Sequence, residues 1–479
     1  MSASAARVVP LSWSIKHTMF SSIETGNPMS EFYDFWIRQA SAQLSEPAVI
    51  CVEKLRKLHP DASIVAFSDV AGFNLQGLPG VKVVSAKPQS ISVKTFAPAA
   101  RMVFREGGEA GKLADNWKFA AFQLTWKDDD FLCYTLQYTY GMRGIQMSTH
   151  FLVHSSADRC HALLEAAGAW QAQLHEEILV FDEARWQKSH ELWVEVHKAN
   201  WSDVILKEAF KEQLMGDVEG FFDSEGLYKS LSVPWKRGII IHGPPGNGKT
   251  ITLKAIMKTC SDRGFAPLYV KSFRHHRGDE GAMVDVFNKA REMAPCVMVL
   301  EDLDSLITDK NRSFFLNQLD GLEGNDGLLL IASTNHLEKL DVALSGRPSR
   351  FDRKFAFDNP DERERALYVK YWQKKLDNNS SVEFSDALVD ELVSETSGFS
   401  FAYLKEVFIS SLVLLANPKH AVTSSFGDVT KGQIQDLREQ MEKAKSQAAA
   451  KPSTQESSGG GIQMIGPRFF GAMAEPIVG

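Results

Sequence analysis

The sequence predicts an α/β fold, a parallel sheet built around a Gly-rich loop, preceded by a separate α+β unit. Three observations predict it. The apolar run Ile239-Ile240-Ile241 leads into Gly243-Pro244-Pro245-Gly246-Asn247-Gly248-Lys249-Thr250, and the segment after it places Leu253, Ile256, Met257 and Cys260 on one helical face. Further apolar runs at 267–272, 296–300, 328–333 and 354–357 alternate with helical stretches, as βαβ units require. Between about 120 and 153 apolar and polar residues instead alternate in three consecutive runs, the pattern of antiparallel strands.

The octapeptide carries the first chemical statement. A Gly-rich turn between a strand and a helix lets backbone N–H groups converge on phosphate oxygens. Lys249 then reaches the outer phosphates and the Thr250 hydroxyl serves as a ligand for Mg²⁺. Residues Gly243 through Ile251 are accordingly the expected nucleotide-binding stretch.

The α+β unit is read from its turns. Ala120, Phe122, Leu124 and Trp126 alternate up to Lys127-Asp128-Asp129-Asp130. Leu132, Tyr134, Leu136, Tyr138 and Tyr140 continue to Gly141-Met142-Arg143-Gly144, and a third strand runs from Ile145 to Val153. A helix is expected from Ser156 to Ile178, with Leu163, Leu164, Ala167 and Trp170 spaced for burial. The aromatic stripe of the meander suits a sheet face packed on a helix. The acidic turn at Asp128–Asp130 speaks against its use as a nucleic-acid stacking platform. Eight of the ten tryptophans lie at or before Trp201, marking a change of composition near residue 190.

Bulk properties exclude other classes. A net charge of −7 over 479 residues supplies no basic field for nucleic acid, which is not expected as a partner. The five cysteines are widely spaced and lack a Cys-x-x-Cys pair, which fits buried reduced thiols. No apolar stretch approaches the ~18 residues of a membrane span, so no integral membrane segment is expected. A cytoplasmic protein is the default expectation. Mitochondrial import is the alternative, because the first 23 residues hold Arg7, Lys16 and several serines but no acid. His190, Glu191 and His197 lack His-Glu-x-x-His spacing, and His275-His276 sit in a polar loop, so neither group is read as a metal site.

ATP hydrolysis needs more than a cradle for phosphate: a carboxylate near Mg²⁺, a base for the attacking water and cations for the γ-phosphoryl charge. Cys296 to Leu300 reads as a buried strand ending in Glu301-Asp302-Leu303-Asp304, which puts two adjacent acids at the carboxyl edge of the sheet. Leu328 to Ser333 leads into Thr334-Asn335, whose amide suits a contact to water or γ-phosphate. Arg347-Pro348-Ser349-Arg350-Phe351-Asp352-Arg353 then concentrates arginines, a pattern that suits an arginine finger acting in trans.

These residues, in this order, resemble the AAA ATPase module over about 200 to 415. Gly243–Thr250 is similar to its Walker A loop, Pro295–Asp304 to Walker B, Leu319-Asp320-Gly321-Leu322 to the pre-sensor helix end and Ala332–Asn335 to sensor 1. The segment from Arg347 to Arg353 resembles the family's Arg-Pro-Gly-Arg-x-Asp-Arg, and Ser397-Gly398-Phe399-Ser400 the opening of its lid helix. The resemblance implies a P-loop NTPase sheet with a small helical lid, ATP and Mg²⁺ as ligands, an ATPase activity and a homo-hexamer with sites between subunits. It implies Thr250 and Glu301 as metal-side residues, Asp302 as base, Asn335 as sensor, Arg350 and Arg353 as fingers, and Val204, within Asp203-Val204-Ile205, at the adenine.

Two departures shape the functional reading. Glu301-Asp302 reverses the family's usual Asp-Glu and is similar to the branch of the mitochondrial Rieske-protein translocase, with a base one methylene shorter. Phe273-Arg274-His275-His276-Arg277-Gly278 lacks the aromatic-hydrophobic-Gly pore triplet of threading members, and Phe273 itself suits core packing. The expected function is an ATP-hydrolysing AAA protein that remodels or translocates a protein partner the sequence does not identify. The alternative is a slow-turnover nucleotide-gated scaffold. The expected domains are a flexible N-terminus (1–29), an α+β partner-recognition domain (30–190), the nucleotide-binding core (195–358), the lid (359–420), and a linker, short helix and disordered tail (421–479).

Overall fold

The computed structural model describes residues 28–40, 47–68, 74–86, 90–97, 112–140, 145–274, 278–320, 324–347, 350–377, 379, 382–416 and 425–449. The leader-like 1–27, the turn at 141–144, His275–Arg277, Gly321-Leu322, Pro348-Ser349 and the tail from 450 lie outside the described residues. The chain divides into two compact units, Met1–His175 and Glu176–Gly479.

In the first unit, helices α1 (Pro28–Ala40) and α2 (Pro47–Leu58) precede β1 (Ser63–Ser68), β2 (Lys82–Ala86), β3 (Ile91–Ala97), β4 (Lys112–Trp126), β5 (Asp129–Tyr140) and β6 (Ile145–His154). Helix α3 (Ala157–Ala172) closes it. The sheet runs β1-β6-β5-β4-β2, with β3 also on β4, and every pairing is antiparallel. The strands at 120–153 are thus the predicted meander. Alternation along them serves two cores: Ala120, Phe122, Leu124 and Leu152 pack under Cys160, Leu163 and Ala167 of α3, while Phe119, Ala121, Tyr134 and Phe151 pack under Phe32, Trp36, Cys51 and Leu55 of α1 and α2. Because both faces are covered, the aromatic stripe is core.

The expected helix to Ile178 ends at Ala172, and the next apolar run is a strand. Strands β7 (Ile178–Asp182) and β8 (Arg185–Ser189), placed by sequence in the N-terminal domain, belong to the second sheet, where β7 lies parallel to β10 (Ala266–Val270). The reason is burial. Ile178 to Phe181 are all buried, as in a strand covered on both faces, and such a run shows no period to separate it from a helix.

The second unit continues with α4 (His190–His197), α5 (Glu208–Asp223), α6 (Glu225–Ser230), β9 (Lys236–His242) and α7 (Lys249–Asp262). After β10 come α8 (Asp279–Met293), β11 (Cys296–Leu300), α9 (Leu303–Leu306), α10 (Arg312–Asp320), β12 (Leu328–Thr334), α11 (Val342–Ser345) and β13 (Arg353–Ala356). The order is β13-β9-β12-β11-β10-β7-β8, parallel except for the β7–β8 hairpin. Register sets Leu300 beside Ala332 and Thr334 beside His242, so the segments leaving β9, β11 and β12 emerge at one sheet edge. Phe273 is buried and packs near Phe315, as core. Burial pushes the thiols of Cys260 and Cys296 up to about 12, consistent with inert core cysteines.

Helices α12 (Glu362–Leu376), α13 (Asp386–Glu395), α14 (Phe401–Leu415) and α15 (Phe426–Ala449) share one apolar core with Val369, Trp372, Leu392, Phe399 and Phe408 at its centre. The Asp361/Glu364 capping box starts α12. Helix α15 departs from expectation. It is not a separate short helix after the lid but part of it, because Phe426, Thr430, Ile434, Leu437 and Met441 recur at helical spacing and the first four are buried. Its Lys/Glu/Gln composition from 431 onward describes only the outer face.

Candidate nucleotide-binding site

The loop from Gly243 to Gly248 has a backbone that its glycines make accessible. Gly243 has φ 139° and Gly246 φ 84°. A Cβ at Gly246 would lie 2.6 Å from the Ala402 Cβ, and one at Gly243 would lie 2.3 Å from the Phe357 carbonyl oxygen, so both positions need glycine for shape as well as space. Lys249 begins α7 and is buried; its Nζ donates to the Gly243 and Pro244 carbonyls at 2.6 and 2.8 Å. Burial lowers the Lys249 ammonium below the ordinary lysine value, and the Asp302 carboxylate acts in the opposite direction.

At the neighbouring strand end, Thr250 Oγ1 donates to Glu301 Oε1 at 2.5 Å, and the Tyr269 hydroxyl donates to Glu301 Oε2. Burial raises the Tyr269 phenol, with Glu301 adding to the effect, so the hydroxyl stays a donor. Asp302 adopts φ 52°, an uncommon left-handed conformation for a residue other than glycine. Asn335 Nδ2 donates to Asp302 Oδ1 at 3.3 Å, and the Asp302 backbone N–H donates to Ser333 Oγ at 3.4 Å. Partial desolvation raises the Asp302 carboxyl, Glu301 and Asp304 raise it further, and Lys249 opposes them. Asp304, by contrast, accepts from Thr334 Oγ1 at 2.6 Å and ties α9 to β12.

A cleft of about 480 Å³ joins these groups. Its walls include Asp203 to Leu206, Pro245 to Thr252, Glu301, Asp302, Ser333 and Asn335, so Val204 and Ile251 line the same cleft as the loop. The lid supplies Tyr368, Phe401, Ala402 and Lys405. A magnesium nucleotide fits this donor set. N–H groups at the start of a fourteen-residue helix and the Lys249 ammonium suit phosphate, while the Thr250 hydroxyl and the Glu301 carboxylate converge as hard oxygen donors suited to Mg²⁺.

Residues 239–359 match the sequence model of the ATPase family associated with various cellular activities (AAA). This stretch of the chain is an AAA ATPase domain. The chain is 30% identical over 226 residues to the ATPase family gene 2 protein of Saccharomyces cerevisiae, covering 44% of this chain and 28% of that protein. It is 30% identical over 229 residues to the cell division cycle protein 48 homolog of Archaeoglobus fulgidus, covering 45% and 30%. It is also 30% identical over 249 residues to the ATP-dependent zinc metalloprotease FtsH of Paraburkholderia phymatum, covering 49% and 37%. The matched stretch thus spans roughly a third of each relative.

The arginines of this AAA module occupy different settings. Arg350 is held inside its own chain: Nε and Nη2 donate to Asp320 Oδ2 at 2.8 and 2.6 Å, Nη1 donates to the Ala343 carbonyl, and the side chain is 8% exposed. Arg353 donates to Asp217 at 2.8 Å, and Asp217 also accepts from Arg237 at 2.6 Å. Neither Arg350 nor Arg353 lines the cleft. Arg347 is exposed and pairs with no described carboxylate. The lid opening expected at Ser397–Ser400 is in place: Ser400 caps α14, and the Ala402 N–H donates to the Gly246 carbonyl at 2.9 Å. Lys207 pairs with Asp361 at 2.9 Å and Tyr371 donates to Asp203 at 3.4 Å, two further links between core and lid. The sequence reading missed the lid residues Tyr368, Phe401 and Lys405 at the cleft and, behind Glu301, Tyr269, because a tyrosine in an apolar strand reads as core.

His190 Nδ1 and His197 Nδ1 donate to the backbone carbonyls of Glu176 and Trp193, and both rings stack on Trp193. Among the described residues no helix is long and apolar enough to cross a membrane.

Proposed function

We propose that this protein binds and hydrolyses ATP within a homo-hexamer and uses the cycle to remodel or translocate a protein partner recognised by its N-terminal unit. The observation that carries the reading is the convergence of Lys249, Thr250, Glu301, Asp302 and Asn335 on one cleft at the carboxyl ends of β9, β11 and β12. Bound Mg²⁺ would offset phosphate charge and orient the γ-phosphoryl group for in-line attack.

Within that frame each side chain has a task. The loop N–H groups and Lys249 bind the phosphates. Thr250 and Glu301 face the cation. Asp302 accepts a proton from the attacking water, and Asn335, already bonded to Asp302, fixes the carboxylate and the water beside it. Tyr368 and Phe401, with ring centroids 5.2 Å apart, and the Val204 backbone enclose the base side of the cleft. Among the described residues of the 347–353 segment, Arg347 is the arginine free to reach a neighbouring subunit's nucleotide, with Arg350 set behind it by Asp320. Arg353, paired to Asp217, supports the β13 edge.

Steady-state phosphate release tests this. Specific activity is expected to rise with protein concentration and to fall by about 10³-fold in Arg347→Ala, the scale of an arginine finger, while nucleotide affinity is kept. Concentration-independent turnover with full activity in Arg347→Ala defeats the intersubunit site. The shorter base Asp302 supports a second reading, and tight ATP binding with negligible turnover would establish the nucleotide-gated scaffold instead.

A further inference from the structure

Glu301 poses a mechanical problem for its role. Glutamate has one more rotatable bond than aspartate, and its carboxylate must be held still to serve a cation beside Thr250. Ordering such a side chain costs rotamer freedom. The strand register supplies the hold. Tyr269 of β10 sits opposite Val299 of β11, and Val297, Val299 and the Tyr269 ring pack into the same core beneath α7. Glu301 follows Val299 by two residues, so the face that carries the Tyr269 ring also carries the Glu301 carboxylate. The extra methylene brings Oε2 to the Tyr269 hydroxyl while Oε1 meets Thr250. Among the described residues, Thr250 and Tyr269 are the side chains that donate to this carboxylate.

We propose that Tyr269 is a positioning residue for the cation site: its hydroxyl pins the outer oxygen of Glu301, leaving the inner oxygen aimed at the Thr250 side, where Mg²⁺ would be held. The reading rests on the proposed Mg-nucleotide site and adds a residue to it. Tyr269 touches neither phosphate nor cation, so its effect appears in how strongly Mg²⁺ assists nucleotide binding, not in nucleotide binding without metal. It also explains how the Glu-Asp order keeps a defined cation ligand: the longer acid is paired with a partner on the adjacent strand.

The test measures binding of a fluorescent ADP analogue to the full chain, in EDTA and across a Mg²⁺ series, for wild type, Tyr269→Phe, Glu301→Asp and the double variant. Phe keeps the packed ring and removes only the hydroxyl. Loss of a partner one step removed from a metal ligand costs 10–100-fold in metal affinity. Tyr269→Phe is therefore expected to raise the Mg²⁺ needed for half-maximal enhancement by about tenfold or more, with affinity in EDTA unchanged within about twofold. In the Glu301→Asp background, where the shorter carboxylate no longer reaches the hydroxyl, the same change is expected to have less than about twofold effect. An unchanged Mg²⁺ requirement, an equal loss in EDTA, or the same loss in both backgrounds overturns the assignment. If wild type binds the analogue in neither buffer, the nucleotide site itself is refuted.

Discussion

Replacing Asp302 by Asn separates binding from chemistry at this site. The change is nearly isosteric and leaves the backbone N–H to Ser333 in place, while an amide oxygen at the same position still accepts from Asn335. It removes one negative charge from a cluster in which Glu301 and Asp304 already raise the Asp302 carboxyl, so binding of an anionic nucleotide is expected to hold or tighten slightly. What disappears is the proposed proton acceptor. General-base contributions of 10²–10⁴-fold set the scale, or roughly 3–5 kcal/mol of transition-state stabilisation. The same preparation is assayed for phosphate release and for equilibrium binding of a fluorescent ATP analogue. Turnover within about tenfold of wild type, or binding lost in parallel with turnover, refutes Asp302 as the base. The sign with pH follows from the same shift. A base acts only when ionised, so wild-type turnover rises with pH through a midpoint above the ordinary aspartate range, and Asp302→Asn lacks that limb.

Two other substitutions test assignments made from packing. Arg353→Ala leaves Asp217 paired with Arg237, so a stability loss of about 1 kcal/mol or less in thermal melting and ATPase activity near that of wild type are expected; a collapse of turnover with intact binding would restore Arg353 as a finger. Ile434→Ala, in the buried stripe of α15, is expected to destabilise the lid by about 2–4 kcal/mol, read as earlier unfolding in denaturant; no change would return α15 to the solvent.

The parts of the site that were legible in sequence are those written contiguously. Gly243 to Thr250, Glu301-Asp302 and Asn335 each follow an apolar strand, and a parallel sheet necessarily brings such strand ends to one edge. What was not legible depends on distant partners. Nothing local distinguishes Arg347 from Arg350 and Arg353; the carboxylates that hold the latter two lie 30 and 136 residues away. Tyr269 meets Glu301 only through the β10–β11 register. The β7 strand was misread because a fully buried run carries no period, and α15 because its polar face dominates its composition while Phe426 and Ile434 lie eight residues apart.

The hydrogen bond from Ala402 to the Gly246 carbonyl ties the start of α14 to the phosphate loop, and α14 in turn packs along α15. At about 1.5 Å per residue, the 24 residues of α15 form a rod roughly 36 Å long. A tilt of about 10° at its root sweeps the far end through about 6 Å. The length of α15 would thus turn a small change in the angle of the lid into a several-fold larger displacement at its far end.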